Sequence, residues 1–378
     1  MPRTPDASCP GWQIGQVRGV PVYLGRSWPI IAIFIVVTFG PQVHGVLPEL
    51  GSGGAYLVAI GYVLLLLLSV LVHEASHALV GQWRGYQVRQ IVADLWGGHT
   101  SYDTADTTPL SSALVAVAGP LSNGVLAGLG YLALQSTDGG VPHLLVQVFV
   151  WTNGFVAIFN LLPGLPLDGG FLVDSLVWRI TGSRATGLLV AGWCGRVVAV
   201  IVVVAALGRS LLQGVQVDFY TVVWAVLIAG FLWVGATSAI ARASASRVIS
   251  RVTVRQLLTR VTLVPTGTPL SRLRGNGDLV VTDPAGVPWG FATAADRARV
   301  PAGIGDSAPV DAVARRQPQG WVAQVDSVDD DCSELITAVQ SADPAPEQLL
   351  VTLRDGRPVG IIRTAELGQA LQAASQAH

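Results

Sequence analysis

The chain has 378 residues, of which 51% are hydrophobic and only 12% charged, with a mean hydropathy of +0.53. So apolar a composition excludes an ordinary soluble globular protein. The formal net charge of −1 and the pI near 6.6 argue against a polyanion-binding surface, so nucleic acid is not an expected partner.

Pro2, Pro5, Pro10 and Gly11 precede any apolar segment. The first hydrophobic stretch begins near Ser27 with no small-residue cleavage pattern after it, which marks a retained span rather than a cleaved leader. Crossing the hydrocarbon core takes about 20 predominantly apolar residues in a helix. Six segments qualify, at residues 28–47, 55–83, 109–134, 144–162, 187–207 and 219–241. All 23 basic residues are arginine, which a GC-rich genome explains more simply than selection for bidentate contacts. Their placement still carries orientation. Arg3, Arg18 and Arg26 precede the first span, Arg84 and Arg89 follow the second, Arg179 and Arg184 the fourth, and Arg242, Arg247 and Arg251 the sixth. Of the alternate connections, Arg209 is the exception. Positive residues stay on the cytoplasmic side, so a multi-pass protein of the cell membrane with both termini cytoplasmic is expected.

Between the second and third spans, residues 86–102 alternate apolar and polar side chains in part, with Gly97-Gly98 as the expected turn. Two readings stand: a plain cytosolic loop, or a β-hairpin at the membrane rim whose edge receives an extended peptide. Cys9, Cys194 and Cys332 are too far apart for a disulfide framework or a cysteine metal cage.

The chemistry sits in the second span. His73-Glu74-Ala75-Ser76-His77 places two imidazoles at i and i+4 on one helix face, where both can bind one Zn²⁺ with Glu74 beside them as a base. The motif directly follows an apolar run, and ionisable groups at membrane depth are costly and usually functional. A hydrolytic zinc takes a third protein ligand. Asp168 is the candidate, in the stretch Asn160 to Gly170 (NLLPGLPLDGG), where Pro163, Gly164, Pro166, Gly169 and Gly170 prevent a regular helix. Irregular backbone at that depth is tolerated when buried or lining a wet cavity, so a broken helix delivering a carboxylate inward is expected. A cytosolic turn capped by an aspartate is the plainer reading. His44, His143 and His378 are assigned solvated roles, and His99 has a chance of lining the cleft.

HEASH, the AGPLSN stretch at Ala118–Asn123 and NLLPGLPLDGG together resemble the site-2 protease family of intramembrane zinc metalloproteases, over residues 60 to 175. That resemblance implies His73, His77 and Asp168 as zinc ligands, Glu74 as general base and acid, and Asn160 as a residue that orients or polarises the substrate carbonyl. Asn153 is a weaker member of the same polar cluster. Gly119-Pro120 is read as close helix packing. Gly97 and Gly98 are candidates for holding the unwound substrate strand. The family's partners are membrane-embedded proteins such as anti-sigma or pro-sigma factors.

From about Val248 the apolar runs shorten to strand length and charge returns. Residues 279–292 read as strand, turn and strand, and residues 349–362 repeat the pattern. These units resemble a pair of CBS modules, which implies an adenine nucleotide such as ATP or AMP and a homodimer. Thr293 and Asp296 match the family's G-x-x-T-x-x-D end; in the second unit Arg363 and Glu366 replace threonine and aspartate. A structural or dimerising tail and a nucleotide sensor both fit.

The expected architecture is a polytopic α-helical membrane protein of six transmembrane helices with a small membrane-associated β-hairpin, followed by a cytosolic α/β CBS-pair domain. Its boundaries are 1–247 for the metalloprotease domain and 248–378 for the regulatory tail. The expected activity is zinc-dependent hydrolysis within the bilayer. The rival is a CBS-regulated ion or metal transporter, with the same four side chains as an ion path.

Overall fold

The computed structural model describes residues 11–94, 97–103, 107–214, 216, 218–273, 275–301 and 307–376; Arg3, Cys9 and His378, named above, lie outside them. The chain divides into two compact units, Met1–Ser244 and Ala245–His378.

The first unit opens on a hairpin, β1 (Gly11–Val17) and β2 (Val20–Gly25). Seven helices follow: α1 (Trp28–Val46), α2 (Gly51–Trp83), α3 (Pro109–Leu134), α4 (Gly140–Asn160), α5 (Asp168–Thr181), α6 (Arg184–Gln213) and α7 (Phe219–Ile249). All but α5 are long and apolar enough to cross a membrane, and they coincide with the six expected spans. Their outer faces stay apolar: Leu57, Leu64, Trp151, Phe155, Ile158 and Val226 are exposed. Lipid is the solvent for such a surface, while the helices satisfy their own backbone groups. Inside, Ile35 and Val43 of α1 pack on Val58, Tyr62 and Val63 of α2, with Leu144, Leu145 and Val148 of α4 against them. This is a multi-pass membrane protein.

Between α2 and α3 lie β3 (Gln87–Asp94) and β4 (Gly97–Asp103), paired antiparallel. The expected hairpin is therefore present, with one correction. Gly97 and Gly98 do not form its turn; they are the first residues of β4, facing Asp94 and Ala93. The hairpin is also half of a larger sheet in the order β1-β2-β3-β4, in which β2 and β3 run parallel. Val20, Val22 and Ile91 bury that sheet against Ala78 of α2.

The second unit repeats one motif twice. β5 (Val261–Pro265) runs parallel to β6 (Asp278–Thr282), which forms a hairpin with β7 (Pro288–Ala292). β9 (Val322–Val325) runs parallel to β10 (Gln348–Leu353), which forms a hairpin with β11 (Pro358–Arg363). The two-residue β8 (Arg315–Arg316) extends the first sheet beside β7. Short helices accompany the strands: α8 (Val254–Leu257), α9 (Ala294–Ala298), α10 (Ser333–Ser341) and α11 (Thr364–Gln376). The segment ahead of β5 crosses to the second motif, where Thr259 bridges Ile361. Val280, Phe291, Trp321, Leu350 and Ile361 share one core between the two sheets. Cys194 and Cys332 are both free.

Candidate metal centre and active-site cavity

α2 carries His73, Glu74 and His77, all buried. The imidazoles stack edge to face one turn apart, as the i, i+4 spacing requires. Each ring is held from behind. His73 Nδ1 lies 2.5 Å from Asn123 Oδ1, and His77 Nδ1 donates to the carbonyl of Val115 at 2.7 Å. Both Nδ1 atoms thus carry the proton in neutral rings, which leaves both Nε2 atoms as lone-pair donors facing the same point. The two Nε2 atoms are 3.0 Å apart.

Asp168 completes the set. α4 stops at Asn160, and the intervening loop is pinned through contacts only glycine allows: Gly164 lies against the Gly195 backbone of α6, and Gly170 against that of Leu165. Leu165 N–H is further tied to the Ala191 carbonyl at 3.1 Å. The chain re-enters a helix at Asp168, the first residue of α5, where a carboxylate is favoured by the helix dipole. Its Oδ2 lies 3.1 Å from His73 Nε2 and 3.4 Å from His77 Nε2, and that buried oxygen has no hydrogen-bond partner. Donor atoms about 2.0–2.1 Å from a tetrahedral zinc stand about 3.3 Å from one another. In the Nδ1-protonated tautomer the three atoms are all acceptors, and their spacings fit a zinc ion.

Glu74 also lies close, since one ligand atom each from His73, Glu74 and His77 falls within 4.8 Å of the others. Its Oε2, however, accepts from Thr100 Oγ1 at 2.8 Å. Asp168 Oδ2 lies within 3.4 Å of both Nε2 atoms and has no hydrogen-bond partner, so it is the better third ligand, and Glu74 is left beside the centre.

Two glycines bring the walls in. A Cβ at Gly119 would overlap Nε2 of both histidines, and one at Gly98 would overlap the Glu74 carboxylate. The close packing expected of Gly119 is thus against the histidine rings. Pro120, inside α3, lacks an N–H and so leaves the Ala116 carbonyl one turn before it without its helical donor, next to the Val115 carbonyl that accepts from His77.

The sequence pointed to Asn153 only as a weaker member of a cluster with Asn160, and singled out neither Asn123 nor Ser69 as support for His73. Asn123 Nδ2 donates to Asn153 Oδ1 at 2.7 Å, and Asn153 Nδ2 donates to Ser69 Oγ and to the Phe149 carbonyl, both at 2.9 Å. Asn123, Asn153 and Ser69 are all buried. The available signal was polarity within apolar spans, where each such group needs a partner. Asn160 is not part of this network: it ends α4, half-buried, and does not line the cavity beside Glu74.

That cavity, of ≈ 370 Å³, is bounded by Glu74, His77, Asp168, Gly98, His99 and Thr100 among others. His99 thus does line the cleft. Arg184 closes part of its wall, donating to Thr107 Oγ1 at 2.9 Å and lying over the Trp178 ring.

Residues 135–205 match the model of peptidase family M50. Asn160 and Asp168 fall inside that stretch and the HEASH motif lies before it. The chain is 32% identical over 233 residues to "Putative zinc metalloprotease sll0528" of Synechocystis, covering 61% of this chain and 60% of that protein. It is 30% identical over 245 residues to "Putative zinc metalloprotease Rip3" of Mycobacterium tuberculosis, covering 62% and 60%. These matches bear out the resemblance read from the three motifs. The chain thus spans 60% of the length of the curated relatives it matches. Among solved structures, "Site-2 Protease from Methanocaldococcus jannaschii" aligns at 18% identity with a TM-score of 0.42, over 61% of this chain and 94% of that one.

In the second unit, Thr293 and Asp296 form a capping box on α9. Thr293 Oγ1 donates to Asp296 Oδ2 at 2.7 Å, and Arg315 donates to Asp296 Oδ1 at 2.5 Å. Burial works against the charge, yet these hydrogen bonds hold the Asp296 carboxyl at about 2. Phe291, Thr293, Arg315 and Arg363 line a cleft of ≈ 360 Å³. Arg363 donates to Asp278 at 2.9 Å and to Glu366 at 3.0 Å.

Proposed function

We propose that this chain is a zinc metalloendopeptidase that hydrolyses peptide bonds in the transmembrane segments of membrane-tethered regulatory proteins, anti-sigma and pro-sigma factors being the class the family resemblance suggests. The observation that carries the reading is the convergence of His73 Nε2, His77 Nε2 and Asp168 Oδ2 on one point, with spacings of 3.0, 3.1 and 3.4 Å. An ion path does not require that donor set.

His73, His77 and Asp168 would hold the zinc. When bound, zinc supplies Lewis acidity, lowering the pKa of water and polarising a carbonyl. Glu74 takes a proton from the attacking water on the carboxylate oxygen that Thr100 does not engage. Water oxygen bonds to the carbonyl carbon, the C–N bond breaks, and Glu74 returns the proton to the leaving amine. Gly97 and Gly98 open the strand that runs beside Glu74, so an unwound substrate strand held there lies next to the base. Asn160 has a role only if substrate reaches the end of α4.

The arginine distribution supports cytoplasmic termini and a cytosolic tail. The tail is a CBS-type pair, and the domain division at 247/248 separates catalysis from regulation. In its cleft Arg315 and Arg363 offer phosphate contacts to an adenine nucleotide, with Thr293 at the rim, while the Asp296 carboxylate is already committed to Arg315 and Thr293. Calorimetric titration of the whole protein with ATP and AMP tests that part.

The central test uses purified wild type and Glu74→Ala in detergent. Near-stoichiometric zinc in both, with cleavage of single-span substrates by wild type alone, is expected. Folded wild type without zinc, or ion flux in liposomes that depends on Glu74, would overturn the reading.

A further inference from the structure

β4 runs along α2 with its alternate residues turned to the helix. Gly98 packs on Glu74, Thr100 Oγ1 lies 2.8 Å from Glu74 Oε2 and 3.3 Å from the Glu74 carbonyl, and the Tyr102 ring lies against Gly81. Glu74 and Gly81 are two turns apart on one face of α2, so strand and helix stay in register over this length. Among the described residues β4 pairs only with β3, which makes it an edge strand.

Resting on the peptidase reading above, we propose that Thr100 is a positioning residue: it fixes the Glu74 carboxylate in the orientation needed for proton transfer, and through it the hairpin sets the base. A glutamate on a helix has three side-chain torsions, and a carboxylate free to rotate spends little time aimed at one point. The structure restrains it from two sides. Gly98 lets the strand backbone press on the carboxylate, and Thr100 ties down one oxygen, which leaves the other for the proton. The opposite face of β4 offers nothing equivalent, since Ser101 points the other way and His99 is 55% exposed. A substrate strand laid on the free edge of β4 would therefore bear on the same residues that hold the base.

The test uses the full chain in detergent with a single-span substrate, comparing wild type, Thr100→Val and Thr100→Ser. Valine keeps shape and strand preference but removes the donor. A misplaced catalytic group costs up to about 100-fold in rate, so Thr100→Val is expected to lose ~10–100-fold in kcat, with KM and bound zinc unchanged. Thr100→Ser restores most of the rate. Unchanged kcat in Thr100→Val, or a loss that serine does not rescue or that follows loss of zinc, would overturn the proposal. Crystal structures of wild type and Thr100→Val add a readout that needs no activity: a Glu74 side chain that does not move also overturns it. A silent wild type would instead count against the peptidase reading.

Discussion

Replacing Asn123 by leucine removes the acceptor behind His73 with little change in volume. The side chain is buried and receives the His73 Nδ1 proton at 2.5 Å, while its own amide is taken by Asn153 at 2.7 Å. Leucine therefore strands two groups in a dry interior, the Nδ1–H of His73 and Oδ1 of Asn153, and each unpaired buried polar group costs about 1–3 kcal/mol. His73 can avoid its share by moving the proton to Nε2, which destroys it as a ligand. Loss of such an outer partner weakens metal binding by about 10–100-fold, equivalent to about 1.4–2.7 kcal/mol. Zinc affinity of Asn123→Leu, measured by competition with a chelating dye, should fall in that range, and cleavage should recover at saturating zinc. Asn123→Asp keeps an acceptor for His73 but places an oxygen against Asn153 Oδ1, so it should fall between leucine and wild type. Wild-type zinc affinity in the leucine variant would refute the assignment of the Nδ1 tautomer.

Gly119→Ala should abolish zinc binding, because the new methyl overlaps both Nε2 atoms, whereas Gly124→Ala on the same helix meets open space and should bind zinc normally, both read by metal analysis of purified protein. Gly98→Ala pushes on the Glu74 carboxylate rather than on the ligands; it should keep its zinc and lose most of its cleavage, by ~100-fold in a single-turnover assay. In the tail, hydrogen bonds from Arg315 and Thr293 hold the Asp296 carboxyl at about 2 against burial, below the usual carboxylate range. Its stabilising contribution is complete above about pH 4 and lost as pH falls through about 2. Asp296→Asn should therefore lower the urea midpoint of the tail at pH 7 and have a much smaller effect at pH 2, where the carboxyl is about half protonated.

The six spans and the zinc motif were legible because each is local: a run of apolar residues reads as a span whatever it packs against, and the i, i+4 spacing of His73 and His77 defines a ligand face within one helix turn. Asp168 was legible for a related reason, since Pro163, Gly164 and Pro166 interrupt the helix ahead of it; Gly169 and Gly170, expected to do the same, lie instead inside α5, where their missing Cβ makes room for the backbone of residues 161–165. What escaped was non-local. The parallel pairing of β2 with β3 joins residues about seventy positions apart, Val22 with Ile91 for example, and no feature of residues 11–25 announces it. Gly97-Gly98 looked like a turn because paired glycines usually are one. Gly98 is there because the Glu74 carboxylate leaves no room for a Cβ, a constraint that arises only after β4 is laid on α2. Asn160 attracted attention through its motif, while the asparagines that meet the histidine system, Asn123 and Asn153, come from two other helices.

The polar line from Ser69 through Asn153 and Asn123 to His73 also bears on why the centre can sit among membrane helices. Ser69 returns its own proton to the Leu65 carbonyl at 2.8 Å, so the chain of donors ends within α2, the helix on which His73 stands. Asn123 donates to Asn153 and Asn153 to Ser69, with a second donation from Asn153 to the Phe149 carbonyl, which pairs groups that hydrocarbon could not. The direction is not arbitrary: donors run away from Asn123 toward Ser69, and that leaves the Asn123 carbonyl oxygen free to take the His73 proton. Reversing either amide would present an N–H to His73, favour the other tautomer and turn Nε2 into a donor, leaving two lone pairs where the cation site needs three. The network is therefore a polarity setting for the ligand as well as a way of burying polar side chains. Asn153→Leu, which touches neither histidine, should accordingly weaken zinc binding less than Asn123→Leu but in the same sense, by freeing the Asn123 amide to turn. Equal affinity in Asn153→Leu and wild type would show that Asn123 holds its orientation without that help.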